Sequence, residues 1–202
     1  RGVEADRETW SLMGGWLRPD EDLGQAAARI LYELTNLTGV YLEQLAVFGQ
    51  PHRDPVERTV SVAYFALVKV ADYEQKISHT YDAHWFSLHE LADLDLLFDH
   101  RDMIRTAVEK LRYKASQHPI GFELLPEKFT VPQLQKLYEA IFGTAFDKRN
   151  FSRKILSTGL LVKLKEKQKG YSKKGAFLYQ VDTERYRSQF NSFLNFIPKG
   201  LG

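Results

Sequence analysis

The spacing of apolar residues predicts alternating helices and strands in the first half of the chain. Apolar side chains recur every three or four residues from about Asp22 to Thr35, and acidic residues at the start favour a helix there. The same spacing predicts a second helix over residues 100–116. Residues 58–70 are β-rich and apolar in both alternations, as in a strand covered on both faces, and residues 83–88 are a shorter strand candidate. Helices beside a buried sheet predict an α/β fold.

A change of pattern predicts a second domain. Residues 117–132 carry three prolines and a glycine, which is typical of a junction between domains. We place the boundary between residues 118 and 119, so that the first domain covers 1–118 and the second covers 119–202. A chain of 202 residues is long enough for two such domains.

The second domain has the pattern of a winged helix-turn-helix. Thr130 can cap a helix that Gly143 ends, and Asp147 can cap a second helix that Gly159 ends. The core contacts expected of this second helix are Phe151, Ile155 and Leu156. Two alternating segments then surround a lysine-rich turn at 169–175, which predicts a β-hairpin. The order helix, turn, helix and hairpin is typical of winged helices.

Composition narrows the class of protein. The absence of cysteine excludes disulfides, thiolate metal sites and a cysteine nucleophile. No apolar run approaches the roughly 18–20 residues that span a bilayer, and the chain does not begin with a signal segment. We therefore expect a cytoplasmic protein with no membrane partner. Because the chain opens on Arg1 rather than Met, we also expect a segment upstream of it.

The formal net charge of +2 conceals a strong asymmetry between the two halves. Residues 1–110 contain 11 basic and 19 acidic side chains, a net charge of −8, whereas residues 147–185 contain 11 and 4, a net charge of +7. Such a division suggests two domains, one of which faces a polyanion. A solvated lysine-rich surface is the alternative interpretation.

The second helix of the winged domain is the candidate reader of DNA. Removing its core contacts leaves a polar outer face: Lys148, Arg149, Asn150, Ser152, Arg153 and Lys154. Arginine reads guanine and asparagine reads adenine through two hydrogen bonds, so Arg149, Asn150 and Arg153 are the base-contact candidates. Lysines of the predicted wing could contact phosphates or the adjacent minor groove: Lys169, Lys173 and Lys174. We expect a double-stranded DNA operator and a homodimer, because winged helices commonly pair on two-fold operators.

The loop at residues 12–19 and the helix after it carry a motif that resembles the Nudix box. That box reads G-x5-E-x7-R-E-u-x-E-E-x-G-u, where u is aliphatic. Six positions are in register here: Gly15, Glu21, Arg29, Leu31, Glu33 and Leu37. The mismatches are Ile30, Leu34 and Asn36, and the first two stand where Nudix hydrolases place metal-coordinating or basic glutamates. Pyrophosphate hydrolysis requires divalent cations held by several oxygen ligands, so this degenerate box predicts no catalytic residue and no metal site.

Longer segments extend the resemblance. WSLMGGWLRPDEDL, FGQPHRDPVERTVSVAYFALV and HPIGFELLPEKFTVPQLQKLYEAIFGTAFDKRNFSRKIL together resemble the Nudix-related transcriptional regulators. That family joins a Nudix-like effector domain to a C-terminal winged helix; its arabinose-responsive branch is most similar to this chain, and other members sense ADP-ribose. The resemblance implies a Nudix-like α/β/α sandwich, which in the family begins with strands before the WSLMGG loop, followed by a winged helix-turn-helix domain. It implies a ligand-responsive regulator that needs no cofactor.

The resemblance also puts the effector site in the first domain, with a sugar such as L-arabinose as the first choice and ADP-ribose as the second. Polar residues in the loop before the 58–70 strand could reach a sugar or a phosphate: His52, Arg53, Asp54 and Arg58. His84 and Trp85 could add a hydrogen bond and a stacking face. The alternatives are a turn ion pair between Arg53 and Asp54 and a core position for Trp85.

Two other functions remain open at this point. An active Nudix hydrolase of a nucleoside diphosphate derivative such as ADP-ribose is the first, and the replaced glutamates argue against it. The second is a Nudix-like protein-interaction adaptor, whose winged helix would serve protein contacts or dimerisation, and DNA binding by the purified chain would exclude it. A histidine metal site is not expected, because intervals of five residues do not suit ligation by His79, His84 and His89.

Overall fold

The chain folds as two compact units, Arg1–Leu111 and Arg112–Gly202. The computed structural model describes four ranges: residues 9–69, 83–117, 120–168 and 175–194. The predicted junction at residues 118 and 119 lies outside these ranges. Within them, no helix is long and apolar enough to cross a membrane.

The described part of the first unit combines short strands with helices. Its elements are β1 (Thr9–Trp10), α1 (Leu23–Thr35), β2 (Glu43–Phe48), β3 (Ser61–Phe65), β4 (Asp95–Leu96) and most of α2 (His100–Gln117). β1 pairs with β4 in parallel, and β2 pairs with β3 antiparallel. The β2–β3 ladder has an irregularity between Gln44 and Ala46, where its register shifts.

The helix predicted from Asp22 to Thr35 is confirmed as α1, and local hydrogen bonds explain where it begins. Asp22 Oδ1 accepts from the backbone N–H of Gln25 at 2.8 Å, and Gln25 Oε1 accepts from the backbone N–H of Asp22 at 2.8 Å. This capping box satisfies backbone donors that a helix start leaves open. The helix ends at Asn36, whose φ of 62° lies in the left-handed region.

The strand predicted over residues 58–70 is confirmed only in its middle. β3 occupies Ser61–Phe65, and residues 66–69 have no regular secondary structure. All five residues of β3 are half-buried. Its partner β2 was not predicted, because the register shift in β2 interrupts the two-residue alternation that marks a strand.

The short strand predicted at residues 83–88 is wrong. Residues 83–87 have no regular structure and lead into a 3-10 turn over Glu90–Ala92. The backbone N–H of Ser87 donates to Glu90 Oε2 at 2.6 Å, which turns the chain. The ring of Trp10 meets the rings of His84 and Phe86 edge-on, with centroid distances of 5.3 and 4.7 Å. Aromatic contacts with Trp10 therefore hold this segment in place, and not the strand hydrogen bonds that were expected.

The helix predicted over residues 100–116 is confirmed as α2. The carbonyl of Asp99 accepts from the backbone N–H groups of Asp102 and Met103 at 2.9 and 3.1 Å, so the first turn begins there. Met103 is buried and fixes the inner face of the helix. Arg101 donates from Nη2 to the carbonyl of Leu94 at 2.6 Å. These contacts place Asp99 at the start of α2, where it becomes important below.

The second unit has the predicted winged-helix order. Its elements are α3 (Val131–Phe142), α4 (Lys148–Ser157), β5 (Leu161–Gln168), β6 (Ala176–Val181) and α5 (Thr183–Leu194). Thr130 and Gln133 form the capping box of α3, and Gly143 ends the helix with φ 67°. Asp147 Oδ1 accepts from the backbone N–H of Asn150 at 2.8 Å and caps α4. The helix α5 after the hairpin was not predicted.

The core of the second unit joins the helices to the hairpin. Phe129, Leu134 and Leu160 are almost completely buried, and Phe129 exchanges backbone hydrogen bonds of 3.0 and 2.7 Å with Tyr179 of β6. The core contacts predicted for α4 are Phe151, Ile155 and Leu156. Ile155 is buried, whereas the prediction for Leu156 is wrong, because that residue is 41% exposed. Leu156 lies about 100° around the helix from Ile155, on the side away from the core.

Candidate functional site

The degenerate box folds into a compact group of ion pairs. Helix α1 places Arg29 and Glu33 one turn apart, and the preceding loop brings Arg18 and Glu21 back to them. Arg29 Nε and Nη2 donate to Glu21 Oε2 and Oε1 at 2.8 and 2.5 Å, and Nη1 donates to Glu33 Oε2 at 3.0 Å. Arg18 Nη2 donates to Glu33 Oε1 at 3.2 Å.

These contacts favour the charged forms of Glu21 and Arg29. The Arg29 guanidinium beside Glu21 lowers the pKa of that carboxyl from 4.5 to about 2, helped by the backbone N–H of Arg18 at 2.8 Å. Conversely, the hydrogen bonds to Glu21 raise the pKa of Arg29. Arg29 also donates to the carbonyl of Trp16 at 2.9 Å. Glu21 and Arg29 are therefore both charged at neutral pH, and their hydrogen bonds hold the Gly-Gly loop against α1.

The two apolar mismatches of the box are half-buried, and one of them packs against the loop. A Cβ added to Gly15 would stand 2.9 Å from Ile30 Cγ1, closer than real Cβ contacts allow. Ile30 thus occupies the space directly beside the glycine of the box. The position at which Nudix hydrolases carry a glutamate is used here for packing.

The Nudix resemblance implies a divalent cation at this place, and the donor set does not fit one. A cation of this kind requires several oxygen ligands from carboxylates, carbonyls or water. Ile30 and Leu34 stand where two of the glutamates are expected. The two carboxylates of the box that are present, Glu21 and Glu33, both form ion pairs with arginine. Across the described ranges, no three His, Asp or Glu side chains are grouped as metal ligands would be.

The loop predicted to contact an effector is held by a buried ion pair. Arg53 Nε and Nη2 donate to Asp99 Oδ2 and Oδ1 at 2.8 and 2.6 Å, and Nη1 donates to Thr59 and Ser61 at 3.1 and 2.9 Å. The Arg53 side chain is only 4% exposed. Its partner is Asp99 at the start of α2, and Asp54 is not the partner that the turn interpretation gave it. A direct effector contact by Arg53 stays a prediction, and this geometry favours a positioning role.

The remaining loop candidates have distinct surroundings. Asp54 Oδ1 accepts from the backbone N–H of Val56 at 2.8 Å, which shapes the turn. Arg58 is exposed and donates to the carbonyls of Gly49 and Thr59, each at 2.9 Å. His52 is exposed with φ 63°. Their effector contacts stay predictions, for which His52 and Arg58 offer accessible polar atoms.

The aromatic candidates lie in the irregular segment before the 3-10 turn. His84 contacts the Trp10 ring, as described above, and Trp85 is 44% exposed. The core position considered for Trp85 is therefore wrong. An exposed indole can stack on the apolar face of a sugar or a base, so its predicted role as a stacking surface keeps a physical basis.

In the second unit, α4 turns its basic face outward. Phe151 packs between the rings of Tyr138 and Phe146 at centroid distances of 5.8 and 5.9 Å, which fixes the rotation of the helix. The five predicted DNA-contact residues of the helix are all exposed: Lys148, Arg149, Asn150, Arg153 and Lys154. Arg153 Nη2 donates to Asn150 Oδ1 at 3.0 Å, so two of the three candidate base readers contact each other.

The hairpin adds basic residues that sequence reasoning missed. Lys163, Lys165 and Lys167 of β5 are exposed. The ammonium groups of Lys163 and Lys167 lie 3.7 and 4.4 Å from the centroid of the Phe177 ring. The alternation in LVKLKEKQ could have identified them, because alternate strand residues share a face. The predicted wing residues lie outside the described ranges: Lys169, Lys173 and Lys174.

Comparison with known families agrees with this two-part architecture. Residues 1–107 match the NUDIX domain family, and residues 121–181 match the NrtR DNA-binding winged helix domain family. The first match covers more than half of the chain. The predicted fold, a Nudix-like domain followed by a winged helix-turn-helix domain, is confirmed.

Individual relatives show the same combination. An ADPR responsive transcriptional repressor of Acinetobacter baylyi is 35% identical over 189 residues, which are 93% of this chain and 75% of the relative. The crystal structure of Shewanella oneidensis NrtR complexed with a 27mer DNA is 31% identical with a TM-score of 0.70, over 88% of this chain and 82% of that one. A MutT/nudix family protein of Enterococcus faecalis, 24% identical, has a TM-score of 0.63 over 87% of this chain and 75% of that one, and shows the fold alone.

Proposed function

Because this chain belongs to the Nudix-related transcriptional regulators, we propose that it binds a DNA operator through α4 and the β5–β6 hairpin, under the control of a metabolite bound to its first unit. The observation that carries the DNA-binding part is the exposed basic face of α4, held in place by Phe151 and Ile155. A helix of this kind can enter the major groove while its apolar side remains in the core.

Electrostatics supports DNA as the partner of this face. Residues 147–185 carry a net charge of +7, and the exposed lysines of β5 extend the basic surface beyond α4. Release of counterions from DNA phosphates provides a sequence-independent part of the affinity. Arg149, Asn150 and Arg153 would provide the base contacts. The Shewanella relative solved in complex with a 27mer DNA supports the same partner.

The effector that we propose carries a pentose. The degenerate box lacks the ligands for a metal ion that would bind a pyrophosphate, and this favours a neutral sugar such as L-arabinose. The name of the Acinetobacter relative supports ADP-ribose instead. Both ligands share a five-carbon sugar with several hydroxyl groups. The exposed polar atoms of His52 and Arg58 and the indole of Trp85 could bind it, while Arg53 and Asp54 hold the loop in shape.

We propose that the first unit binds this ligand without hydrolysing it. The absence of glutamates at positions 30 and 34 and the arginine partners of Glu21 and Glu33 support this view. The rival function is an active hydrolase. Incubation with ADP-ribose, NADH or nucleoside triphosphates and Mg²⁺ or Mn²⁺ distinguishes the two, because turnover in the usual range of roughly 1–1000 per second would establish the hydrolase.

A homodimer on a two-fold operator completes the proposal. Winged helices commonly bind two half-sites separated by about one turn of DNA. The effector would favour one of two states of the dimer by binding it more tightly than the other. Sedimentation of the full chain with and without an operator duplex measures the stoichiometry, and a single chain per palindromic duplex would contradict a dimer.

Two measurements on the full chain test the function. A fluorescence anisotropy titration compares an operator duplex with a scrambled one, and equal affinity for both would exclude a sequence-specific regulator. A thermal-shift series with L-arabinose, other pentoses, hexoses, ADP-ribose and NAD identifies the effector, since a ligand raises stability by mass action. A shift with L-arabinose alone selects a free sugar, and a shift with ADP-ribose alone selects the nucleotide. The selected ligand must then change the affinity for the operator.

A further inference from the structure

We propose that Arg18, together with the box arginine Arg29, which already pairs with Glu21 and Glu33, takes the place of the divalent cation of a Nudix site once the glutamates at positions 30 and 34 are lost, so that the box excludes such a cation and the first unit binds its ligand without one there. The ligand-binding part rests on the proposed function, whereas the exclusion of the cation concerns the protein alone. Arg18 lies at one of the unspecified positions of the box, between Gly15 and Glu21 in the loop before α1, and no feature of the sequence pattern singled it out. It is the residue to which the structure gives a new role.

The first argument is the occupation of the carboxylate oxygens. Glu21 Oε1 and Oε2 accept from Nη2 and Nε of Arg29. Glu33 Oε2 accepts from Nη1 of the same arginine, and Glu33 Oε1 accepts from Nη2 of Arg18. Each of the four carboxylate oxygens thus has a guanidinium partner. A cation that coordinated either side chain would have to displace an arginine or lie next to its charge.

The second argument is the balance of charge. Two arginines and two glutamates form a group with no net formal charge, so the group offers no net negative charge to a Mg²⁺ ion, which proteins bind through carboxylates and substrate phosphates. Ile30 and Leu34 add no charge and no oxygen at the positions of the missing glutamates. The space beside Gly15 is filled by the apolar side chain of Ile30.

The two arginines contribute differently. Arg29 has a 19% exposed side chain and binds Glu21, Glu33 and the carbonyl of Trp16, so it is part of the frame. Arg18 has a 55% exposed side chain, and its guanidinium donates only to Glu33 among the carboxylates of this group. It can therefore be removed with little effect on folding, which leaves one oxygen of Glu33 without its guanidinium. Arg18 is the part of the arrangement that can be tested separately.

The test uses Mn²⁺ as the probe, with electron paramagnetic resonance to count the bound ion. The double variant Ile30→Glu/Leu34→Glu restores carboxylates at both family positions, and the triple variant adds Arg18→Ala. We expect the triple variant to bind Mn²⁺ more tightly than the double variant by about tenfold, the order by which neighbours of metal ligands change metal affinity. Equal affinity of the two would overturn the role given to Arg18.

A matched control is the double variant combined with Arg105→Ala. Arg105 is an equally charged, 69% exposed arginine of α2 that pairs with Asp102. This variant should bind Mn²⁺ like the double variant, and an equal gain with Arg105→Ala would show a general charge effect and contradict the proposal. If the restored carboxylates prevent folding, Arg18→Ala alone is compared with Arg105→Ala. Arg18→Ala should then bind Mn²⁺ more tightly, and no difference would overturn the proposal.

Wild-type protein provides the second half of the test. The affinity for the effector identified by thermal shift should be the same with Mg²⁺ and with EDTA, and a requirement for Mg²⁺ would overturn metal-free binding. If no pentose ligand binds at all, the proposed function fails, but the Mn²⁺ titrations still decide whether Arg18 excludes the cation. The two failures are therefore distinguishable.

Discussion

Arg29 and Arg53 of the first unit lie in ion pairs, whereas Arg149 and Arg153 of α4 in the second unit are exposed to solvent. The Arg53 side chain is 4% exposed and forms an ion pair with Asp99, and the Arg29 side chain is 19% exposed and pairs with Glu21 and Glu33. Arg149 and Arg153 on α4 are exposed. For Arg153, the hydrogen bond that the described structure gives is to the neutral amide of Asn150.

This difference follows from what each surface has to do. A buried guanidinium needs a carboxylate partner, because removing an unpaired charge from water is strongly unfavourable. Such a pair holds a loop in one conformation, as Arg53 does for the loop between β2 and β3. A surface that binds a polyanion needs charges that its own carboxylates do not neutralise. The same residue type therefore positions the candidate effector loop in one unit and presents charge in the other.

The largest expected effect comes from breaking the ion pair between Arg53 and Asp99. Arg53→Ala should lower the free energy of unfolding by about 3–5 kcal/mol, because it leaves the partly buried Asp99 without its partner. Arg53→Lys should also destabilise, since lysine cannot form both hydrogen bonds to the carboxylate. Urea unfolding measures the change. Arg105→Ala, which removes an exposed pair with Asp102, should change stability by about 0–1 kcal/mol, and an equal loss in both variants would contradict the comparison.

Substitutions of the exposed arginines Arg149 and Arg153 should weaken DNA binding and leave stability almost unchanged. Arg149→Ala or Arg153→Ala should weaken operator binding by about 1–3 kcal/mol per half-site and relax specificity, if they reach base edges. Their unfolding curves should match wild type within about 0.5 kcal/mol, because both residues are exposed. Titrations against operator and scrambled duplexes at several salt concentrations measure the effect. Variants that bind both duplexes like wild type would show that α4 is not the reader.

Lysines of the hairpin should have a smaller and less selective effect. Lys165→Ala, and likewise Lys173→Ala or Lys174→Ala in the wing, should weaken binding to all DNA sequences alike. The slope of log affinity against log salt should decrease by about one for each lost phosphate contact. Lys110→Ala on α2 is the control, since Lys110 donates to the carbonyls of Gln44 and Leu45 in the first unit. A lysine variant that lost specificity with an unchanged slope would contradict a phosphate contact.

The smallest expected effect is the loss of folding stability at acid pH that protonation of Glu21 causes. The pKa of Glu21 is lowered from 4.5 to about 2, so its contribution to stability is complete above pH 4.5 and is lost as the pH falls towards 2. Glu21→Gln should therefore flatten the dependence of stability on pH in this window. Urea unfolding at a series of pH values measures it. Glu57→Gln, at an exposed position in the same unit, is the control, and identical curves for the two variants would exclude the role of Glu21.

Residues close together in the sequence determined where α1, α3 and α4 begin and which face of α4 is turned outward. The caps at Asp22, Thr130 and Asp147 hydrogen-bond to backbone groups three residues away, so the chain itself specifies where α1, α3 and α4 begin. Helical periodicity then separates Phe151 and Ile155 from the basic residues of α4. Such information is contained within one or two turns and needs no distant partner.

Only the tertiary structure decided which partners the charged and apolar residues of the first unit acquired. Arg53 pairs with Asp99, 46 positions away, although Asp54 is its neighbour in sequence. Arg18 reaches Glu33 across 15 positions, because the Gly-Gly loop folds back onto α1 where Ile30 packs beside Gly15. The segment at 83–88 packs against Trp10 and forms no strand. Charge, hydropathy and alternation describe what a residue can contact, and the folded chain selects which contact buries its charge or apolar surface best.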